Sequence, residues 1–427
     1  MRIRTPHLLL LLVPICAVAQ ITFAQQPAAQ APAAPGVGAA ATIRSPEVAP
    51  DRRVTFRLAA PKASAVSVIC ECLTIEEAAK LKQQLAPLAQ RPDTDAEKAR
   101  VTRALANVRA LQGERAMTKD ASGVWTLTLP PVEPDIYEYH FKVDEFEMLD
   151  PRNPVVKYNS RPNLIESIVE VPGASAMFYD LKPVPHGKVE IRYYDSKATN
   201  STRRAFVYTP PGYEKSTAKL PVLYLLHGGD GDETVWTSFG RANLILDNLI
   251  AEKKAQPMIV VTPAAYAYPP ITGVAADKQR ADFEKDLLEN LIPFVQANYR
   301  AAADRDHRAM AGLSMGGGLT LAIGPRHLDV FSRLALFSAG GGQNPQESLK
   351  DVAANAKNMN AQLKLFWMAI GDDDPGYLGA KRTSEFLTTA GVKHSFKTVP
   401  GAHTWILWRR FLNDVAPLLW TSPSGTN

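Results

Sequence analysis

Three groups of residues, far apart along the chain, have the types and surroundings that acyl transfer needs. The first is Gly312-Leu313-Ser314-Met315-Gly316, a G-x-S-x-G with the apolar run Ala309 to Leu313 before it and a helical pattern after it. A sharp turn from strand to helix lifts the serine hydroxyl clear of a sheet, and it needs glycines because nothing bulky fits where the chain doubles back. Ser314 is the candidate nucleophile. The second group, His227-Gly228-Gly229-Asp230-Gly231, closes the apolar run Val222 to Leu226. Glycines let backbone N–H groups approach a carbonyl oxygen on which charge develops, and each well-aimed donor is worth about 3 kcal/mol in the transition state. The amides of Gly229 and Met315 are the candidate oxyanion hole.

The third group supplies a base and the acid that orients it. Asp372-Asp373-Asp374 follows the apolar run Leu365 to Ile370, and His403 lies on a loop between the strand-like His394 to Val399 and the helical Trp405 to Leu419. A general base belongs on such a loop, so His403 is the candidate in preference to His394, which reads as an exposed strand residue. A carboxylate must fix the imidazole tautomer, and spacing alone does not choose among the three aspartates. His227 precedes the serine, whereas the chain order expected here is serine, acid, histidine, so it reads as an organiser of its own loop. Three consecutive carboxylates point different ways and make a poor cage for a cation, so no metal is expected there. Trp236, Tyr266 and Trp405 adjoin these motifs and are candidate walls for a phenolic or sugar ring.

These groups must be positioned by elements the sequence also marks. From Val189 onward, short continuous apolar runs alternate with helical stretches. The runs are Val222 to Leu226, Met258 to Thr262, Ala309 to Leu313, Leu334 to Phe337 and Leu365 to Ile370. The helical stretches are Val235 to Lys254, Phe283 to Tyr299, Gly316 to Phe331, Leu349 to Gln362 and Ala380 to Ala390. That rhythm predicts a mostly parallel sheet covered by helices on both faces, with Glu190 to Tyr194 and Phe206 to Thr209 as antiparallel strands at one edge. In such a sheet the chemistry collects beyond the carboxyl ends of the strands, where all these motifs fall. From Arg53 to Val171 the pattern alternates instead, predicting a small antiparallel sandwich. Thr74 with Glu77 and Thr94 with Glu97 have capping-box spacing, so a helical hairpin is expected to interrupt it.

The ends and the composition narrow the class. Arg2, Arg4 and His7 precede the apolar run Leu8 to Val13, which is too short and interrupted to span a bilayer of about 30 Å, so a signal peptide cleaved after Ala19 or Ala24 is expected. The chain is therefore read as secreted or periplasmic, without an integral membrane span. Cys70 and Cys72, two apart on a predicted strand, would sit nearly 7 Å apart, so no bridge is expected. A net charge of +5 over 427 residues, with no basic run, argues against a nucleic-acid partner. The expected division is a signal peptide at 1–24, an Ala/Pro/Gln-rich tether at 25–41 and a β-sandwich at 42–172 with its helical insertion at 74–115. A linker at 173–187, a hydrolase region at 188–421 and a tail at 422–427 follow.

The motifs carry a resemblance. Leu223 to Trp236, Gly312 to Gly317 and Gly401-Ala402-His403-Thr404-Trp405, in that order, resemble the esterase-D-like branch of the α/β-hydrolases, and within it carbohydrate esterase family one, which holds feruloyl and acetylxylan esterases. Enterochelin-type esterases and mycolyltransferases are its relatives. The Arg53 to Val171 half resembles the early-set, carbohydrate-binding-like sandwich found before many such esterases. The resemblance implies a serine carboxylic-ester hydrolase without a cofactor, acting on acylated plant polysaccharide. Its spacing from Gly371 selects Asp374 as the acid and its terminal histidine falls on His403. A siderophore esterase, an acyltransferase of the same fold and a non-catalytic carbohydrate-binding protein are the alternatives.

Overall fold

The computed structural model describes residues 43–72, 114–158, 166–342 and 344–420. Short strands come first: β1 (Glu47–Val48), β2 (Val54–Ala59), β3 (Val66–Cys70), β4 (Glu114–Ala116), β5 (Thr118–Lys119), β6 (Val124–Leu129), β7 (Asp135–Val143), β8 (Phe146–Met148), β9 (Val156–Lys157) and β10 (Glu166–Val171). They form two sheets, ordered β1-β2-β6-β5 and β4-β3-β7-β10-β9, with β8 folded back on β7, and every pairing is antiparallel. Alternation gives each strand one apolar face. Val54, Phe56 and Leu58 of one sheet share a buried cluster with Val66, Val68, Tyr139 and Phe141 of the other.

Two expectations change here. The helical insertion lies mostly outside the described residues, and its last two positions, Glu114 and Arg115, belong to strand β4. Cys70 and Cys72 form a disulfide. The expectation of no bridge assumed an extended chain, but Cys72 lies beyond the end of β3, where the chain bends and the two Cα atoms come within 5.1 Å. The expected signal peptide and tether also lie outside the described residues.

The second part is one eight-stranded sheet: β11 (Lys188–Ser196), β12 (Ser201–Thr209), β13 (Val222–Leu226), β14 (Ile259–Pro263), β15 (Arg308–Leu313), β16 (Arg333–Phe337), β17 (Leu365–Gly371) and β18 (Ser395–Val399), in the order β11-β12-β14-β13-β15-β16-β17-β18. β11 and β12 are antiparallel at one edge and β13 to β18 run parallel. Every residue of β13 to β16 is buried, which is why those stretches read as unbroken apolar runs. The helices Ala242–Ala251 and Trp405–Leu419 cover one face, and Met315–Ile323 and Tyr377–Thr389 are among those covering the other. The fold is that of an α/β-hydrolase.

The helix expected from Val235 to Lys254 is broken in two, Val235–Ser238 and Ala242–Ala251. The break is steric: a methyl on Gly240 would lie 2.7 Å from the Trp405 ring and 2.9 Å from the Trp236 ring, and Arg241 turns the chain at φ 52°. The helix expected from Gly316 to Phe331 stops at Ile323, just before Pro325, whose ring and missing N–H disfavour continuation. The two regions also pack together. Ile136 and Ile168 of the two-sheet region join the cluster of Phe239, Trp405 and Phe411.

Candidate active site

Ser314 stands at the turn from β15 into the helix Met315–Ile323 with φ 51° and ψ −115°. A non-glycine residue held at positive φ costs of order 1–3 kcal/mol and persists only where its neighbours fix it. Here the Ser314 N–H donates to the Phe337 carbonyl at 2.8 Å, and the Gly318 N–H donates to the Ser314 carbonyl at 2.9 Å. The glycines of the motif are set by backbone contact. A methyl on Gly312 would lie 2.4 Å from the Gly316 carbonyl carbon, and one on Gly316 would lie 2.5 Å from the His227 carbonyl oxygen. That packing brings the 227–231 loop alongside the serine, so a methyl on Gly228 would come within 3.4 Å of Ser314 Cβ.

The structure brings Ser314, His403 and Asp374 into one hydrogen-bonded file. His403 Nε2 is 3.0 Å from Ser314 Oγ, and Nδ1 is 2.8 Å from Asp374 Oδ2. A carboxylate can only accept, so Nδ1 carries the proton and the Nε2 lone pair faces the serine hydroxyl. Asp374 is completely buried as a side chain, and its other oxygen accepts the Gly376 N–H at 2.7 Å. Asp372 faces elsewhere. Its carboxylate accepts the Gly401 N–H at 3.1 Å, and the Asp373 N–H donates to the Gly401 carbonyl at 2.9 Å, so these two hold the loop that carries the histidine. Burial pushes the His403 imidazole down, but the hydrogen bond and charge of Asp374, with a further push from Asp230, leave it above its ordinary value. The Trp408 ring meets the imidazole nearly at right angles, 4.9 Å between centres.

Met315 opens its helix, where backbone N–H groups have no partner within the helix and point outward. The loop of Gly229 is tied down by its neighbours. His227 Nδ1–H donates to the Gly228 carbonyl at 2.7 Å, and the Ala265 N–H donates to His227 Nε2 at 2.8 Å. Those bonds require a neutral ring, and burial lowers its pKa in the same sense. The Tyr266 hydroxyl donates to the Gly229 carbonyl. Segment 264–267 is held in turn by Arg203, whose guanidinium donates to the carbonyls of Ala267 at 2.6 Å, Ala264 at 2.6 Å and Tyr266 at 2.7 Å, and pairs with the buried Asp286 at 2.9 Å. Arg203 was not among the expected site residues. Its one signal in the sequence is a charge at an inward position of an alternating strand.

Two aromatic expectations are corrected. Trp236 and Trp405 are buried, pack against each other with ring centres 5.1 Å apart, and belong to the hydrophobic core beneath the site. The Trp236 indole N–H donates to the Leu226 carbonyl at 3.0 Å, which spends its polar end on the backbone. Tyr266 is half-buried, its ring 5.6 Å from that of His227, where it braces the glycine loop. Ser314 and His403 instead open on a cleft of about 670 Å³ with Gly318, Gly340, Gly376 and Gly379 among its lining and Leu378 and Arg382 beside them. His394 bonds to Ser384 and to the Val392 carbonyl at the start of β18. Among the described residues no group of three or more His, Cys, Asp or Glu could hold a metal ion, and no helix is long and apolar enough to cross a membrane.

An α/β sheet carrying a serine on such a turn is the arrangement of the α/β-hydrolases, and the family match narrows the class to carboxylic ester hydrolase. Residues 196–419, about half of the chain, match the esterase family described as "Putative esterase", and the chain belongs to that family. The chain is 35% identical over 315 residues to the endo-1,4-beta-xylanase/feruloyl esterase of Xylanibacter ruminicola, covering 72% of this chain and 42% of that one. It is 27% identical over 291 residues to the endo-1,4-beta-xylanase Y of Acetivibrio thermocellus, covering 62% and 26%. The chain thus spans less than half the length of these curated relatives. The enterobactin esterase FES of Shigella flexneri has the same fold over 86% of this chain and 92% of its own, with a TM-score of 0.56 at 17% identity.

Proposed function

We propose that this esterase cleaves feruloyl-type or acetyl esters on plant polysaccharide or its oligosaccharides, with Ser314 as nucleophile, His403 as base and Asp374 as the orienting acid. The observation that carries the proposal is the file of Ser314, His403 and Asp374 opening on a cleft. His403 Nε2 takes the serine proton as Oγ attacks the ester carbonyl, and the amides of Met315 and Gly229 receive the charge on the carbonyl oxygen. The sugar hydroxyl leaves with the proton from His403. Water, activated by the same ring, then cleaves the acyl-enzyme. A lining rich in glycine suits a flat acyl group, which lies close to the backbone where side chains would exclude it. The relative named feruloyl esterase supports the same acyl class. Residues 1–24 are proposed as a secretory signal and 25–41 as a tether, which would bring the enzyme to polymer outside the cell.

The test is hydrolysis of methyl ferulate, acetylated xylan and a siderophore ester by the purified chain and its Ser314→Ala variant. Turnover of the feruloyl or acetyl ester is expected to fall by up to about a million-fold in the variant. Retention of most activity by Ser314→Ala would refute the nucleophile, and a strong preference for the siderophore ester would refute the substrate class.

A further inference from the structure

Lys157, on the edge strand β9, has a side chain only 2% exposed. Burying an ammonium costs several kcal/mol unless charged partners offset it, so its surroundings need a reason. The Nζ atom is 2.6 Å from each oxygen of Glu138 on β7, 5.5 Å from the centre of the Phe239 ring and 4.0 Å from Asp230 Oδ2. Glu138 and Lys157 belong to the two-sheet region, whereas Phe239 and Asp230 belong to the α/β region. The ammonium therefore reaches across the boundary to the residue that follows Gly229. Asp230 is half exposed, and its charge is among those felt by His403. A carboxylate there, left alone, opposes the charge that grows on the substrate oxygen and favours the charged form of a base that must be neutral to act.

We propose that Lys157 is a positioning residue of the esterase: from the two-sheet region it holds Asp230 and offsets its charge, so that the neighbouring Gly229 amide meets the developing oxyanion in a balanced field. This rests on the triad and oxyanion roles proposed above. It gives the two-sheet region a part in catalysis that requires no sugar binding. The charged groups around the ammonium are Glu138, Asp230 and Glu71, with Glu166 acting on Glu138. Burial raises Glu138 against the pull of Lys157, so the ammonium, held at 2.6 Å by Glu138, also faces Asp230 at 4.0 Å across the boundary.

The experiment compares the full-length chain with K157M, K157R, D230N and the double variant K157M/D230N by kcat, KM and the pH profile of kcat/KM. Active sites are counted by fluorophosphonate labelling, with Ser314→Ala as control. K157M is expected to lower kcat by about tenfold with KM little changed, and to move the acid limb upward by about half a pH unit. K157R should keep both properties. D230N should move the limb downward and, combined with K157M, restore kcat to within about threefold of the parent. An unshifted limb in both K157M and D230N would overturn the proposal, as would a double variant as impaired as K157M, since a purely structural lysine is not rescued by removing a charge. If K157M does not fold, K157Q is read in its place by the same limb and by its rescue with D230N, and an unshifted limb in K157Q overturns the proposal. Activity surviving in Ser314→Ala would instead overturn the triad itself.

Discussion

The proton that starts the proposed reaction lies between Ser314 Oγ and His403 Nε2, 3.0 Å apart, and its transfer depends on the ring being neutral. The buried carboxylate of Asp374 raises the imidazole, so half of the base is lost at a higher pH than for a free histidine. We expect the acid limb of kcat/KM above the ordinary value of about 6.5, to be measured from pH 5 to 9. Asp374→Asn should move that limb downward and reduce kcat by about 10⁴-fold, because the amide neither stabilises the imidazolium nor fixes the tautomer. Asp372→Asn, two residues away, faces Gly401 rather than the ring and should leave the limb in place. Spacing alone left three aspartates open and the resemblance selected Asp374, whose side chain is the one that faces the imidazole. The tryptophans are the converse case. Type and proximity suggested a pocket wall, but burial depends on what folds over a ring from elsewhere. Trp236→Phe, losing the bond to the Leu226 carbonyl, should cost about 1–3 kcal/mol in denaturant unfolding and leave KM unchanged.

Between residue and molecule, the decisive element is the turn that joins β15 to its helix. The G-x-S-x-G was legible because steric need restricts the residues allowed there, and the same need makes a sharp contrast among its glycines. A methyl on Gly316 would press on the His227 carbonyl at 2.5 Å and the Leu226 carbonyl at 2.8 Å, both backbone. Relief can come only by moving the end of β13 and with it the glycine loop. Gly316→Ala is therefore expected to cost about 1–3 kcal/mol in chemical unfolding and to lower kcat more than KM changes. At Gly318, one turn into the helix, the same added methyl meets open space, with nothing beyond its own neighbours and helix backbone within 4 Å. Gly318→Ala should stabilise by about 0.4–1 kcal/mol and preserve turnover of a small acetyl ester, read by melting temperature and initial rates. The inner strands β13 to β17 were legible almost to the residue because they are buried on both faces, whereas the partly exposed antiparallel strand expected at Phe206 to Thr209 starts five residues earlier, at Ser201. The break at Gly240 was not, since it answers to two tryptophan rings, one of them more than 160 positions away.

At the scale of the whole molecule the question is why two regions with separate cores behave as one. The boundary holds a buried charge pair: Arg409 on the last helix donates to Asp135 of β7 at 2.5 Å and to the Ile136 carbonyl at 3.1 Å, with the Phe239 carbonyl at 3.3 Å on its other arm. Its guanidinium lies 5.2 Å from the ring centres of Tyr179 and Phe239, so its planar faces are covered too. Nothing in the sequence announced this contact, whose partners stand 274 residues apart. Removing Arg409 would leave the buried Asp135 with only the Ile136 N–H at 2.8 Å and the more distant Arg410 at 3.8 Å, and breaking such a pair typically costs about 3–5 kcal/mol, far more than an exposed pair. We therefore expect the parent to unfold in one calorimetric transition, and Arg409→Ala to lose about that much stability and to resolve into two. The same helix carries Trp408 against His403, so loosening its grip on Asp135 should also reach the base. Below the first transition of Arg409→Ala, kcat should drop while Asp135→Asn, which keeps an acceptor for the guanidinium, retains most of it. Equal losses in both variants, or an unchanged single transition in Arg409→Ala, would mean that the two regions are joined by their apolar surfaces alone.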